Sequence, residues 1–222
     1  MEKIKSHIKN KQLTVARHSK LYSLIGALFF IVFVVFTFMV RADLLRSFDF
    51  DMTVRIQDDI PLRFDYFFSI MSVVGRFEYM IGLLVLIILF RKRILGLIPF
   101  FLFGFAHVIE LIGKTILEQP GPPRMFLRAQ FGDFPGIHVF TDASYPSGHS
   151  LRAVFLSIII TFLIFKFRSL PKSIKYLFIS ALFILLFLVL ISRVSLGEHW
   201  STDVIGGALL GASFAFLSLI FL

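Results

Sequence analysis

Residues 146–167 read PSGHSLRAVFLSIIITFLIFKF, a short polar motif followed by an apolar run long enough to cross a bilayer. A transmembrane helix needs roughly 20 apolar residues. The same criterion selects six stretches of the chain, at about 21–40, 67–90, 94–117, 150–167, 173–193 and 203–222. The sequence therefore predicts an all-α fold, a bundle of six transmembrane helices.

The composition agrees with a membrane protein. Hydrophobic residues make up 57% of the 222 residues, and the mean hydropathy is +0.87. Only 17% of the residues are charged, against about 25% in soluble domains. The chain has no cysteine, so disulfides and thiolate metal sites are excluded. We expect one membrane domain over residues 21–222, preceded by a basic segment at 1–20. The apolar run that follows this segment is expected to be retained as the first transmembrane span and not cleaved as a signal peptide.

Basic residues mark one side of the predicted bundle. They are concentrated before span one, between spans two and three, and between spans four and five, and these segments hold 13 of the 23 Lys and Arg. Because basic loops remain in the cytoplasm, both termini are expected inside the cell, with the chain crossing the plasma membrane several times. The net charge of +9 is then a topology signal and not a nucleic-acid site.

Three loops are expected on the outer side, at about 41–66, 118–149 and 194–202. The first loop is rich in Asp and is predicted to form a short helix at the membrane surface. The second is the longest and contains several prolines. Polar loops opposite the basic turns are where chemistry is expected, because binding and catalytic groups are concentrated in loops held by a rigid scaffold.

The candidate catalytic residues all fall at the outer ends of the predicted spans. They are Lys114, the Pro146–His149 motif, Ser192, Arg193, His199 and Asp203. Phosphoryl transfer needs fixed positive charge around the equatorial oxygens, an in-line nucleophile and a proton donor for the leaving oxygen. Lys114 and Arg193 supply positive charge, and the planar guanidinium group of Arg193 can donate two parallel hydrogen bonds to a phosphate group. Ser147 is a candidate N-cap of span four, so the amides of Gly148 and His149 would face an anion there.

The two histidines have different neighbours. His199 and Asp203 are four residues apart, so on a helix the carboxylate lies beside the imidazole. A carboxylate that accepts the Nδ1 proton leaves Nε2 free to attack. His149 has no such partner nearby in the sequence and is the better candidate for a general acid.

Pro-Ser-Gly-His at 146–149 and Ser-Arg-x5-His-x3-Asp at 192–203 resemble the second and third signature motifs of the type-2 phosphatidic acid phosphatase superfamily. The six-span layout is also similar, over most of the chain beyond residue 47. The resemblance implies that His199 is the nucleophile, Asp203 orients it and His149 protonates the leaving group. It also implies phosphate contacts from Lys114, Ser147, Gly148 and Arg193, and a mechanism without metal or cofactor.

The resemblance implies a membrane lipid phosphatase, and the positions of the basic loops predict that its site faces outside. Undecaprenyl pyrophosphate in cell-wall synthesis, phosphatidic acid and phosphatidylglycerol phosphate are the expected partners, and the oligomeric state is left open. A phosphotransferase using the same intermediate is an alternative. A transporter is suggested by the intramembrane charges, and an inactive lipid-binding relative is a third reading. The charged residues of spans two and three are Arg76, Glu78, Glu110 and Lys114. One predicted polar stripe on span three and its end consists of His107, Glu110, Lys114 and Glu118.

One departure from the family pattern concerns the first motif, which is usually Lys, six residues, then Arg-Pro. Counting from Lys114, the Arg position is Gly121, followed by Pro122. We expect Arg152 to replace the missing arginine, because it lies three residues after His149 on nearly the same helix face. The other candidates, both on the second outer loop, are Arg124 and Arg128.

Overall fold

A computed structural model of the chain describes residues 2–74, 81–82, 85, 97–128 and 143–222. In these residues the regular structure is helical, which confirms the all-α prediction. The long helices, in chain order, are α1 (Glu2–Arg41), α2 (Arg46–Asp59), α3 (Asp65–Val74), α4 (Leu97–Leu117), α5 (Gly148–Lys166), α6 (Lys172–Ser195) and α7 (Ser201–Ser218).

Five helices of the described residues are long and apolar enough to span a membrane. They correspond to predicted spans one, three, four, five and six. The predicted second span, 67–90, begins in α3, but most of it, with Arg76 and Glu78, lies outside the described residues. The predicted basic segment 1–20 and the first span form one continuous helix, α1.

Glycines on α7 bring α5 and α7 into close contact. A Cβ on Gly207 would lie 2.2 Å from the carbonyl oxygen of Ser147, and one on Gly211 would lie 2.3 Å from that of Leu151. Any side chain at these positions would force the helices apart. The two glycines, a small-xxx-small pair, therefore act as a helix-packing device, which fixes α5 against the helix that carries Asp203.

Apolar side chains fill the centre of the bundle. Phe103 of α4, Phe155 of α5 and Leu210 of α7 are all buried in one cluster. Tyr145, just before the Pro146–His149 motif, is also buried there, and its hydroxyl pairs with the Thr37 hydroxyl of α1 at 2.8 Å. This packing fixes the position of the N-terminus of α5 along the axis of the bundle.

The predicted short helix in the first outer loop is confirmed as α2. Its Asp49 and Thr53 side chains are buried against the bundle, and most of its other residues are partly or fully exposed. The Gln57 side-chain amide donates to the carbonyl oxygens of Phe126 at 2.7 Å and Ser195 at 3.0 Å. The helix α2 thus joins the second outer loop to the end of α6.

The ends of four helices meet at one end of the bundle. Lys114 lies in the last turn of α4, His149 in the first turn of α5, Arg193 in the last turn of α6 and Asp203 in the first turn of α7. The alternating direction of these helices brings residues from distant parts of the sequence to the same level. The membrane side on which this end lies remains a prediction from the charge pattern.

Candidate active site

The His199–Asp203 pair predicted from the sequence is formed, but not along a helical turn as expected, because His199 precedes Trp200, the N-cap residue of α7. His199 Nδ1 lies 3.3 Å from Asp203 Oδ2, and the Asp203 side chain is fully buried. The same Oδ2 accepts the backbone N–H of Trp200 at 2.9 Å. Because Asp203 engages Nδ1, the imidazole is held in the orientation that leaves Nε2 available for bond formation.

The environment of His199 favours the neutral imidazole. Burial lowers the pKa of His199 below its ordinary value of 6.5, and the hydrogen bond and charge of Asp203 raise it in part. The positive charges of Arg193 and Lys114 lower it further. A neutral imidazole retains the lone pair that a nucleophile needs.

His149 lies close to His199 and to the cations Lys114, Arg152 and Arg193, and these residues with Asp203 and the glutamates paired with the cations are called the cluster below. Its Nε2 is buried and has no hydrogen-bond partner among the described residues. The groups that act on it electrostatically are Arg193, Arg152, His199 and Lys114. A buried ring nitrogen close to cations that would hold a phosphate group is suited to exchange a proton with a bound phosphate ester.

The sequence predicts anion binding at the start of α5. Ser147 is the N-cap residue, but its hydroxyl does not cap the helix, and the buried Oγ has no partner in the described part of the chain. The Ser147 N–H donates to the Asp203 carbonyl oxygen at 2.9 Å, which joins the two motifs directly. The Ser147 hydroxyl and the first amides of α5 are thus available for a phosphate group.

Two candidate phosphate-binding cations are each paired with a glutamate. Lys114 Nζ donates to Glu110 Oε1 at 2.9 Å, and Glu110 Oε2 lies 2.6 Å from His107 Nδ1. Arg193 forms an ion pair with Glu198 and donates a hydrogen bond to the Ser72 hydroxyl of α3. The sequence analysis did not assign a role to Glu198, although it directly precedes His199.

A model of the PAP2 superfamily matches residues 94–222, more than half of the chain and all the residues of this cluster that lie on α4 to α7. The chain belongs to the PAP2 superfamily. This confirms the resemblance drawn from the two motifs.

Two named relatives support the same family. The PAP2 chain is 31% identical over 150 residues to phosphatidylglycerophosphatase B of Bacillus subtilis, covering 64% of this chain and 68% of the relative. It is 34% identical over 149 residues to an undecaprenyl-diphosphatase of Sulfolobus acidocaldarius, covering 67% and 66%. The names of both relatives describe lipid phosphatases, which supports a phosphatase activity for this chain.

Solved structures agree on the fold. A transmembrane PAP2-type phosphatidylglycerolphosphate phosphatase from Bacillus subtilis matches with a TM-score of 0.71 and 24% identity, over 88% of this chain and 94% of that one. LpxE of Aquifex aeolicus matches with a TM-score of 0.54 and 21% identity, over 77% and 93%. At these identities the likeness supports the transmembrane helical fold of this PAP2 chain.

The three arginines considered for the missing first-motif position have different surroundings. The Arg152 side chain is buried, and its Nη1 lies 2.9 Å from the point that a Cβ on Gly148 would occupy. Arg124 is exposed, in the 3-10 turn that follows Pro123. The Arg128 guanidinium donates to the carbonyl oxygens of Ile60 and Gln57 and to Asp65. In this PAP2 chain Arg152 thus lies in the cluster, whereas Arg128 is hydrogen-bonded to the segment that joins α2 to α3.

The predicted polar stripe on α4 ends earlier than expected. His107, Glu110 and Lys114 are partly or fully buried and contact one another. Glu118 is exposed and has a positive φ of 46°, because α4 ends at Leu117 and the chain turns away. Its inclusion in the stripe was wrong, since the helical spacing does not continue to residue 118.

A residue missed by the sequence analysis, Asp49 of α2, supports the start of the helix that carries Asp203 from outside the motifs. Its carboxylate accepts the Thr202 N–H at 2.8 Å and the Thr202 hydroxyl at 2.6 Å. Trp200, the N-cap residue of α7, has only a donor in its side chain. Asp49 therefore caps the helix that carries Asp203, and burial raises its own pKa from 3.8 to about 6. The only sequence signal was the Asp-rich character of the loop.

Replacing Asp49 with leucine is expected to destabilise the protein by about 1–3 kcal/mol, because Thr202 loses a buried acceptor at a helix N-terminus. The expected loss of activity is larger than for Asp49→Asn, since asparagine retains a carbonyl oxygen that can accept the Thr202 N–H. Thermal unfolding in detergent and the turnover number would be measured for both variants. Equal stability of Asp49→Leu and the wild type would contradict the capping role.

Proposed function

We propose that this protein is a membrane lipid phosphatase that works through a phosphohistidine intermediate. The observation that carries the proposal is the convergence of the buried His199–Asp203 pair, the buried His149 and the cations Lys114 and Arg193 at one end of the bundle. These are the nucleophile, proton donor and fixed charge that phosphoryl transfer needs.

In the first step, His199 Nε2 attacks the phosphorus atom and the bond to the leaving oxygen breaks. His149, which is protonated in the complex with the anionic substrate, donates that proton to the leaving oxygen and becomes neutral, so the lipid alcohol or lipid monophosphate leaves in a neutral or less charged form. Lys114, Arg152 and Arg193 stabilise the charge on the equatorial oxygens, together with Ser147 and the Gly148 amide. Asp203 stabilises the positive charge that develops on His199.

In the second step, water attacks the phosphorus atom and the bond to His199 Nε2 breaks. His149, now neutral, accepts a proton from the water, which restores both histidines and releases inorganic phosphate. No step requires a metal ion or a cofactor. Capture of the intermediate by an alcohol in place of water would give the alternative function, a lipid phosphotransferase.

The substrate class follows from the surroundings of the site and the names of the relatives. The cluster lies at the ends of helices whose outer faces are exposed and apolar, so a lipid in the bilayer can bring its headgroup to it. Undecaprenyl pyrophosphate, phosphatidic acid and phosphatidylglycerol phosphate are the candidate substrates. The proposed location is the plasma membrane, with both termini in the cytoplasm and the site facing outside.

Phosphate release by the purified protein in detergent tests the proposal. The three candidate lipids would be supplied with and without EDTA. Release that continues in EDTA supports the metal-free mechanism, and the preferred lipid identifies the substrate. No release from any of them, with lipid binding retained, would instead favour the inactive relative. Transport that depends on an ion gradient and survives loss of His199 would favour a transporter.

The pH dependence of kcat/KM is expected to reflect His199. Since burial lowers the pKa of His199 below 6.5, its neutral form persists below that pH, and the acid limb that it sets lies below pH 6.5. Asp203 raises the pKa of His199, so Asp203→Asn is expected to move the acid limb to lower pH while lowering the maximum rate. The phosphate group of the substrate also titrates at about pH 6, but this titration affects the wild type and the Asp203→Asn variant equally. An acid limb at higher pH in Asp203→Asn would contradict this assignment.

A further inference from the structure

The two glutamates of the cluster have no role in the proposed reaction. Glu110 is paired with Lys114 and Glu198 with Arg193, and the paired side chains are all at least four-fifths buried. Both partners are cations that the proposed mechanism assigns to phosphate. Each glutamate therefore engages donors that a phosphate group would use.

Glu110 also lies where the anion is expected. Its Oε1 is 2.3 Å from the point that a Cβ on Gly148 would occupy, and Arg152 Nη1 is 2.9 Å from the same point. Gly148 is the first residue of α5, whose free amides attract anions. The Glu110 carboxylate is thus held at the helix N-terminus, between two of the candidate phosphate-binding cations.

Among the described residues of the cluster, the side-chain charges other than those of the imidazoles balance. The cations are Lys114, Arg152 and Arg193, and the carboxylates are Glu110, Glu198 and Asp203. Three buried cations without carboxylates would bind inorganic phosphate tightly, because Coulomb attraction is strong where water is excluded. Tight binding of the product would slow its release and limit turnover.

We propose that Glu110 and Glu198 are competing counter-ions, which hold Lys114 and Arg193 in position and limit the affinity of the site for inorganic phosphate. The substrate phosphate displaces the carboxylates from these cations, and the two ion pairs form again when the product leaves. This inference rests on the proposed phosphatase function and adds to it a mechanism for product release. It assigns the two glutamates as positioning residues that act through their partners.

The test is the affinity for inorganic phosphate of Glu110→Gln and Glu198→Gln. Each variant keeps the shape of the side chain and removes its negative charge. We expect the inhibition constant for inorganic phosphate to fall about three- to thirtyfold in each, as expected when a nearby like charge is removed. The midpoint of thermal unfolding should rise more with added phosphate in the variants than in the wild type, which measures binding without turnover.

Matched variants separate charge from shape. Glu118→Gln makes the same chemical change at an exposed position just beyond α4, where water and salt screen the charge, and should change phosphate affinity less than about twofold. Glu110→Asp and Glu198→Asp keep the charge and should leave phosphate affinity closer to that of the wild type. A purely structural role would instead weaken phosphate binding in both the Asp and the Gln variants.

Unchanged or weaker phosphate binding in the folded Gln variants would overturn the inference. Removing one partner of a buried ion pair is destabilising, so one of the Gln variants could fail to fold. The inference can then be tested with the other Gln variant, because the two ion pairs involve different cations. The proposed function is tested separately by phosphate release from lipid by the wild type. An active wild type with no tightening in the variants would reject the counter-ion role alone.

Discussion

Replacing His199 with glutamine is expected to lower phosphate release from lipid by about 10³-fold or more, because glutamine lacks a nucleophilic nitrogen. The side chain is partly buried, and its Nδ1 contacts the fully buried Asp203. Glutamine is polar and of similar length, so the surrounding helices should remain in place. The measurement is single-turnover hydrolysis of the best lipid substrate in detergent, with the folded state checked by thermal unfolding.

Labelled phosphate distinguishes a nucleophile from a general base. With lipid labelled in its terminal phosphate, the wild type should retain label covalently at His199 during turnover, and His199→Gln should retain none. Asp203→Asn should still form the intermediate, but about 10²–10⁴-fold more slowly, because the imidazole loses the acceptor that fixes its tautomer. Substantial hydrolysis by His199→Gln would reject His199 as the nucleophile, and covalent label retained by that variant would make His149 the next candidate.

Arg152→Ala is expected to lower turnover by about 10²–10³-fold, comparable to the loss in Arg193→Ala, because each removes a fixed donor from the developing negative charge. Arg152 is buried, beside Gly148 and the carboxylate of Glu110. We propose that Arg152, at the start of α5, provides the positive charge that the first motif lacks at Gly121. The two variants would be compared in kcat and kcat/KM on the same lipid.

Two further arginine variants test the assignment. Arg152→Lys keeps the charge but loses the planar fork, so an intermediate rate is expected. Arg124→Ala changes an exposed arginine outside the cluster and should retain most of the activity. Near-full activity in Arg152→Ala, combined with a large loss in Arg124→Ala, would transfer the role to Arg124 and require the second outer loop to close over the substrate.

Some features of this protein are determined by local sequence. The apolar runs from α4 to α7 predict helices because their length and composition leave the backbone no other way to satisfy its hydrogen bonds in a bilayer. The His199–Asp203 contact joins residues four apart in the chain across the N-terminus of α7, and the Ser147 N-cap position follows from the turn that precedes an apolar run. Such contacts involve residues close in the chain, so spacing alone predicts them.

Other features depend on residues brought together only by the packing of separate helices. Asp49 caps α7 from a distance of more than 150 residues in the chain, and no spacing rule connects it to Thr202. The placement of Arg152 beside Glu110 depends on the contact between α4 and α5, which Gly148 allows by having no side chain. The sequence by itself therefore determined the helices, the motifs and the identity of the catalytic candidates. Only the tertiary structure decided which charges share the site, because the strength of an ion pair depends on distance and burial that the sequence does not contain.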